Sequence, residues 1–510
     1  MKRLSALCEN NKLKAECSFR GGNDPWIASL GYDSRTIRPD SVYFAFTGLH
    51  DDGHAFIEDA IGKGAVAVVH SQELDLYHED VVYIRTANPH RLFSSFASVL
   101  WDHVERRLYI IGVTGTDGKT TTCDFLWQLL NKNGVRCALL DTVDMDDGSG
   151  KHPSPYRQST PEVTEIYPFL QRCHANHMVA VVLEATSHGL SEKFARLADI
   201  PFSGAIYTTL TSEHLEFHGN IENYVEAKLN LARQLLPGAP LVMPEDFPYA
   251  SQVRHAAPEH SPILTYSLDK TDSQAEVQVH SSSFSCERRY FTCCTAGHLV
   301  AASIPFGAAF LLRNALGSAL MASRMCGSPP EKLLYQLAWL ERVDGRFEVI
   351  ATGLPFMVVI DFAHTADAFQ TLFTQMRQLR PQGRLVALFG AAGERDHSKR
   401  APMGRIAGTY CDAVFLTDED PRGETSQAIF QEIQAGIPPQ SPCEVFTIAD
   451  RSQAIAQALL YCQDGDTLLL LGKGHEQSIQ YTGCKMPWNE KAVLRQQVAS
   501  FIQHKEEHNG

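Results

Sequence analysis

The sequence predicts an α/β protein of three domains. A central parallel or mixed sheet carries a phosphate loop of the P-loop ATPase type, and a C-terminal sheet is doubly wound and Rossmann-like. Three observations carry this. The chain has 510 residues, which at about 150 residues per domain gives about three domains. Short apolar runs alternate with stretches of helical period, the pattern of parallel strands covered by helices. One strand feeds a glycine turn that opens directly into a helix.

The first block, residues 1–105, is a small α/β unit. Asp33-Ser34-Arg35 forms a turn before the apolar strand Val42 to Phe46, and Gly48, Asp51, Asp52 and Gly53 mark a loop. Gly64 then turns the chain into the buried strand Ala65 to Val69. The second block, 106–340, starts with the run Leu108 to Val113, followed by the glycine turn and a helix over Thr121 to Asn131. Met178 to Leu183 and Ala205 to Thr209 read as further buried strands. Ser251 to Thr295 alternates in a way that suggests β structure inserted in this block. The third block, 341–510, places short apolar strands at Phe356 to Ile360, Arg384 to Phe389, Ala413 to Thr417 and Thr467 to Leu471. The polar tail, His504 to Gly510, is expected to fray.

Composition excludes several classes. Lys and Arg total 45 against 59 Asp and Glu, a formal charge of −14. A general nucleic-acid binder needs a basic face to displace counterions, so none is expected. No stretch reaches the ~18 apolar residues of a membrane span. The polar residues Glu9 to Lys12 interrupt any secretory signal near the start. The 13 cysteines show no C-x-x-C pair and are expected to be free thiols in a reducing cytoplasm.

The chemistry begins at Gly112-Val113-Thr114-Gly115-Thr116-Asp117-Gly118-Lys119-Thr120. Glycines let backbone N–H groups close around phosphate, and the helix N-terminus adds a favourable field. Lys119 reaches the terminal phosphates, and the Thr120 hydroxyl is a ligand for Mg²⁺. Glu184 ends the next strand, where ligands of open parallel sheets sit, and a carboxylate there suits the hard Mg²⁺ of ATP. Thr186, Ser187 and His188 follow it. Glu213-His214 and Phe217-His218 follow the third strand. Lys228 lies in a helical stretch and, on composition alone, reads as a solvated helix lysine. In the third block four strand ends carry polar groups: Asp361 to Thr365, Gly390 to Asp396, Thr417 to Arg422 and Gly472 to Glu476. Such clustering on one sheet edge points to a ligand crevice. Arg395 and Arg422 suit a carboxylate, and Glu476 suits an ammonium.

Taken in order, these motifs resemble the Mur ligases over nearly the whole chain, and within them the branch that adds the third residue of the peptidoglycan stem peptide. The motifs that carry the resemblance are Asp33-Ser34-Arg35, Thr114 to Thr122, Glu184 with Ser187-His188-Gly189, Glu213-His214-Leu215, Glu226-Ala227-Lys228, Asp361 to Thr365, Gly393 to Asp396, Asp420-Pro421-Arg422 and Gly472 to Glu476. The resemblance implies a first domain that holds the UDP end of a nucleotide-sugar peptide through Ser34 and His50. It implies a central domain that binds ATP through Thr114 to Thr120, with Asn314 near adenine and Arg346 at the domain junction. It implies a C-terminal domain that brings the amino acid through Arg395, Glu419, Asp420, Pro421, Arg422, Gly472 and Glu476.

By the same resemblance, Ser159, Thr160, Thr186, Glu192 and Arg196 position the muramoyl peptide. The catalytic set becomes Lys119, Glu184, His214 and Lys228. Lys228 would carry a CO₂-derived carbamate and, with Glu184 and His214, hold the second of two Mg²⁺ ions; Thr120 would hold the first. The implied reaction is ATP-dependent amide formation on UDP-MurNAc-L-Ala-D-Glu through an acyl phosphate, with meso-diaminopimelate, L-lysine or L-ornithine as the amine. The enzyme is expected to be a cytoplasmic monomer acting on small molecules.

The chain departs from the family pattern at several places. Asp420 replaces an amide, so the amino acid stays open. Thr209 and Leu311 stand where relatives carry Asn. Glu192-Lys193-Phe194 replaces a Gln-x-Arg contact pair, with Arg196 as a substitute. Two other readings compete: folylpolyglutamate synthetase, which lacks a first domain with Asp33-Ser34-Arg35, and a nucleotide-binding protein without turnover.

Overall fold

A computed structural model describes residues 1–9, 16–48, 51–156, 158–211, 215–268 and 273–509, with backbone alone for 215–216 and 504–509. These residues divide into two compact units. The first comprises Met1–Gln278, Cys294–His298 and Asn314–Leu334, and the second Val279–Cys293, Leu299–Arg313 and Tyr335–Gly510.

The first unit opens with a five-stranded sheet ordered Cys17–Arg20, Val82–Thr86, Ala65–His70, Ser41–Phe44, Ser29–Gly31. All neighbours are parallel except the first pair. Ser41–Phe44 is buried along its whole length, which is why it reads as a continuous apolar run rather than an alternating one. The turn at Asp33 is a short 3₁₀ helix, Ser34–Thr36, closed by the Asp33 carboxylate accepting from the Arg35 N–H. Helix Pro89–Leu100 covers the sheet; Asn88 caps it, and Pro89 opens it with φ already set.

The larger sheet is built around six parallel strands: Cys137–Leu140, Ala180–Glu184, Tyr109–Thr114, Gly204–Tyr207, Leu241–Pro244 and Ile263–Ser267. Asp144–Asp146 and His152–Pro153 extend one edge in antiparallel fashion. Val181, Val182 and Leu183 are fully buried, each contributing roughly 1.5–3 kcal/mol of transfer free energy. One apolar core runs through this unit from Leu4 to Val253. The register sets Glu184 opposite Val113 and Tyr207 opposite Thr114, so three strands finish side by side at one edge.

The second unit holds a six-stranded sheet ordered Glu348–Ile350, Met357–Asp361, Thr467–Leu471, Leu385–Phe389, Ala413–Leu416, Glu444–Thr447. Only its first strand is antiparallel. Thr467–Leu471 and Leu385–Phe389 are wholly buried, as central strands of a doubly wound sheet are. Asp361, Gly390, Thr417 and Gly472 therefore leave the sheet at one edge. Ser251 to Thr295 is only partly β: Ala250–Ala256 is a helix, followed by strands including Val277–Phe284 and Arg289–Thr295. The tail does not fray within the described residues; helix Glu490–Asn509 continues to its end. No helix among them is long and apolar enough to cross a membrane. None of the cysteines among the described residues is in a disulfide.

Candidate active site

The strand Tyr109–Thr114 delivers its last residue to a tight turn, and helix Lys119–Lys132 begins at once. Two glycines make this turn possible. Gly115 has φ 154°, and a Cβ there would lie 1.9 Å from Thr208 Oγ1; Gly118 has φ 81°, and its Cβ would lie 2.6 Å from Asn314 Oδ1. The turn is braced by the neighbouring strand end. Thr116 N–H donates to Thr209 O at 2.7 Å, Thr208 Oγ1 donates to Asp117 O at 2.6 Å, and Asp117 N–H donates to Thr209 Oγ1 at 3.0 Å. Lys119 Nζ donates back to Thr116 O at 2.6 Å. No side chain caps the helix N-terminus at Gly118, and the uncapped helix end directs its dipole into the turn, which suits an anion.

Glu184 is the polar centre of this edge. It is 1% exposed, yet Oε2 accepts from Thr120 Oγ1 at 2.8 Å and from the Thr142 hydroxyl and N–H at 2.8 and 3.2 Å. A hydroxyl and a carboxylate in contact beside a phosphate turn form a hard oxygen donor pair, the kind Mg²⁺ takes together with phosphate oxygens and water. Its backbone carbonyl accepts from Thr160 Oγ1 at 2.7 Å, and Thr160 Oγ1 in turn accepts from Thr186 N–H and Oγ1 at 3.0 and 2.9 Å. The structure thus brings Thr120, Thr160, Glu184 and Thr186 into one connected network.

Lys228 corrects the composition-only reading. It sits in helix Ile221–Arg233 but is 1% exposed, not solvated. Its Nζ donates to Gly115 O at 2.6 Å and lies 4.6 Å from the centre of the Tyr224 ring. Helical period alone does not say which lysine faces the core. Arg196 is also buried, paired with Glu162 and donating to Thr160 O at 3.1 Å; it supports the Thr160 segment. Phe194 lies beside Lys193, Arg196 and His188. His218 Nε2 lies 3.1 Å from Ser187 Oγ. Ser34 is buried, and its carbonyl accepts from Lys63; Ser159 is half-buried and Glu192 exposed. Leu311 is buried. His50 and His214 lie outside the described residues.

Sequence reasoning missed Asp141 and Thr142. They follow the apolar strand Cys137–Leu140, next to the strand that ends in Glu184; a polar pair at that strand end was the available signal. Asp141 is 1% exposed, and burial first, then the nearby Asp124 and Glu184 carboxylates, raise its carboxyl well above the usual range.

In the second unit, Asp361 receives N–H groups from Phe347 and Ala363, each at 2.6 Å. The Arg346 guanidinium lies 4.6 Å over the Phe362 ring, and His475 packs 5.1 Å from it. Burial, with Arg346 and Lys473 nearby, depresses His475 to about 3. Two loops are stitched together by Arg400, whose guanidinium holds both oxygens of Glu424 at 2.8 and 3.1 Å and the Ala392 carbonyl at 2.9 Å. Gly393 N–H donates to Asp420 O at 2.8 Å. These loops carry Arg395 and Arg422, and Glu394 and Arg422 both hold left-handed φ values of 54° and 53°, a conformation costly for non-glycine residues. A cavity of about 740 Å³ lined by Ser285, Arg288, Tyr290, Glu341 and Arg342 contains none of these residues.

A glycine turn with lysine and threonine at a helix start, beside a strand-end carboxylate, defines a nucleoside-triphosphate enzyme of the α/β class. Comparison with known proteins narrows this. Residues 27–98 match the model for the Mur ligase family, catalytic domain; 113–322 match the Mur ligase middle domain, and 345–474 the Mur ligase, glutamate ligase domain. The UDP-N-acetylmuramyl-tripeptide synthetase of Borreliella afzelii is 38% identical over 95% of this chain and 96% of its own. The UDP-N-acetylmuramoyl-L-alanyl-D-glutamate–2,6-diaminopimelate ligase of Syntrophomonas wolfei is 32% identical over 89% and 91%. A solved structure of a ligase with that same substrate name is 27% identical and covers 94% of this chain and 95% of its own at a TM-score of 0.62. The chain belongs to the Mur ligase family. It is an ATP-dependent ligase, and because the match includes the first hundred residues, the folylpolyglutamate synthetase reading falls.

Proposed function

We propose that this enzyme joins a diamino acid to UDP-MurNAc-L-Ala-D-Glu in peptidoglycan precursor synthesis, as the names of its relatives describe for them. ATP, the nucleotide dipeptide and the amino acid yield the tripeptide, ADP and phosphate. The D-glutamyl carboxylate attacks the γ-phosphoryl group and ADP leaves. The amine then attacks the acyl phosphate carbonyl, expelling phosphate and losing a proton. The contact of Thr120 with Glu184 beside Lys119 carries the proposal, because phosphoryl transfer needs alignment and charge neutralisation more than covalent help.

In this reading the chain has three functional domains, 1–105, 106–340 and 341–510. Residues Thr114 to Thr120 cradle the ATP phosphates. Asn314, 6% exposed and against Gly118, borders the nucleotide, and Arg346 is the further nucleotide ligand that the family pattern supplies. Lys119 lies at the helix start, where it meets the γ-phosphate once it leaves the Thr116 carbonyl. Thr120 and Glu184 would hold Mg²⁺, which when bound would offset the phosphate charge. Lys228 would carry a carbamate that, with Glu184 and His214, would hold a second Mg²⁺; the burial of Lys228 supports this, since carbamylation replaces a buried cation with an oxygen ligand suited to a hard metal. Ser34 and His50 hold the UDP end. Ser159, Thr160, Thr186, Glu192 and Arg196 position the peptide, and Arg395, Glu419 to Arg422, Gly472 and Glu476 receive the amino acid. The enzyme works as a monomer in the cytoplasm, where its nucleotide substrates are made.

The test is phosphate release by the purified protein with ATP, Mg²⁺ and UDP-MurNAc-L-Ala-D-Glu, against meso-diaminopimelate, L-lysine and L-ornithine. Release that needs one of these amino acids is the expected result. ATP binding without release in any arm would remove the ligase reading in favour of a binding protein without turnover.

A further inference from the structure

A second buried acid stands beside Glu184. Strand Cys137–Leu140 runs parallel to Ala180–Glu184 with Leu140 opposite Leu183, so Asp141 and Glu184 reach the sheet edge side by side. Thr142 follows Asp141, and its hydroxyl and N–H both donate to Glu184 Oε2. Asp141 shapes the turn that presents Thr142. Its Oδ1 accepts from the Val143 and Asp144 N–H groups, each at 2.8 Å, and its own N–H donates to Asp144 O at 3.1 Å.

Only one of its two oxygens serves that turn. Asp141 is 1% exposed, and Oδ2 is buried with no hydrogen-bond partner. Asp124, Glu184 and Asp144 stand near it, and all three are acids. The cations of this edge are committed elsewhere. Lys151 pairs with Asp124 and Asp144. Lys119 Nζ donates to Thr116 O, and Lys228 Nζ to Gly115 O. A buried carboxylate oxygen with its bond unmade is costly until a donor arrives. Buried acids side by side call for a cation or for groups held by one.

We propose that Asp141 is a positioning residue of the Mg²⁺ site, its Oδ2 accepting a hydrogen bond from a water on the ion that Thr120 and Glu184 would hold. This rests on the metal reading of that pair given above. Mg²⁺ dehydrates reluctantly and keeps several waters when one or two carboxylates bind it. Such a water is a strong donor, and the acceptor it meets in the surrounding shell orients it and tightens the ion. Asp141 supplies that acceptor from the strand next to Glu184. Asp124 does not, because Gln128 and Lys151 already donate to its two oxygens. The turn itself needs only Oδ1, and an asparagine would build it equally well.

The experiment measures Mn²⁺ binding to the full chain with the nonhydrolysable ATP analogue AMPPNP, by the electron paramagnetic resonance of free Mn²⁺, in wild type and Asp141→Asn. The asparagine carbonyl keeps the bonds from Val143 and Asp144, which puts the amide NH₂, a donor, where Oδ2 stood. Asp141→Asn is expected to bind Mn²⁺ ~10-fold more weakly, and to need ~10-fold more Mg²⁺ for half-maximal phosphate release, with KM for the amino acid unchanged. Its melting temperature without metal is expected to equal or exceed that of wild type, because an acid beside acids has been neutralised. Unchanged Mn²⁺ affinity would overturn the proposal and leave the metal reading of Thr120 and Glu184 intact. Weaker affinity joined to a lower metal-free melting temperature would assign Asp141 to the turn alone and overturn it as well. If Asp141→Asn does not fold, Asp141→Ser, whose hydroxyl takes the same turn N–H groups and vacates the Oδ2 position, must weaken Mn²⁺ binding; unchanged affinity there overturns it equally. If wild type binds no more Mn²⁺ than AMPPNP does alone, the metal reading falls, and this proposal with it.

Discussion

At the phosphate turn, the threonine side chains that brace it are satisfied within the protein, while Asp141 Oδ2 and Thr122 Oγ1 nearby are buried without a partner. Thr116, Thr120, Thr142, Thr208 and Thr209 are each hydrogen-bonded to a neighbouring strand end or to Glu184. At the C-terminal crevice, Asp418 Oδ1, Glu419 Oε2, Arg422 Nε and His475 Nδ1 are buried with no partner. In the proposed reading the first region takes phosphate with backbone groups and a helix dipole, which leaves its side chains to brace the turn. The second would take an amino acid through side-chain atoms, and an atom held ready for a ligand stays unsatisfied until the ligand comes. Rigidity at one sheet edge and unmet hydrogen bonds at the other mark what is shared by many nucleotide enzymes and what is particular to this one.

The largest effect comes from breaking the braced side. Lys119→Ala removes the cation at the helix start and is expected to lower kcat by ~10³-fold with all substrates. Steady-state phosphate release checks it; a fall in the amino-acid KM alone would contradict the assignment. Next is Lys228→Ala, expected to cost ~10²-fold in kcat without loss of ATP binding. The carbamate part is separable: wild-type activity should fall when CO₂ and bicarbonate are stripped from the buffer and return on adding bicarbonate, while Lys228→Ala should not respond. Unchanged ATP turnover in Lys228→Ala would end the carbamate assignment.

The fold was legible because buried parallel strands such as Thr467–Leu471 and Leu385–Phe389 are continuous apolar runs, and glycine turns mark where they stop. The phosphate turn was legible for the same local reason. Two kinds of information were not. The burial of Lys228 depends on which face of its helix meets the Gly115 carbonyl, a contact between residues 113 positions apart. The pairing of Lys473 with Asp420 is a contact between residues 53 positions apart, and strand-end spacing does not reveal it. The segment Ser251 to Thr295 was hard to read because Val277–Phe284 buries only its first residues and is exposed beyond, so its pattern is neither alternating nor continuous.

A smaller effect sharpens the crevice side. Arg400 is fully buried, and Glu424 ties it to the Glu394 N–H across the two loops that carry Arg395 and Arg422. Glu424→Gln keeps the shape and removes the charge. Misplaced loops should raise KM for the amino acid by ~10-fold and leave the KM values of ATP and the nucleotide dipeptide unchanged. A purely structural pair would lower thermal stability with no such split, so Tm and the three KM values together decide it.

The same pair makes the smallest prediction, and its sign follows from the carboxyl itself. Hydrogen bonding to Arg400 holds Glu424 at about 2, below its ordinary 4.5. A depressed carboxyl stabilises the folded state fully above its unfolded value and loses that contribution as pH falls through the folded one. Wild type should therefore exceed Glu424→Gln by about 1 kcal/mol near neutrality, the scale of a partly exposed ion pair. The gap should close as pH drops below about 4.5, the ordinary carboxyl value at which the unfolded chain starts to take up the proton. His475, kept neutral by burial, loses stability over an overlapping range, but both proteins carry it, so the difference between them isolates Glu424. Denaturant melts at stepped pH measure that difference directly. A gap that stayed constant from neutrality to pH ~3 would mean that Arg400 does not lower the Glu424 carboxyl.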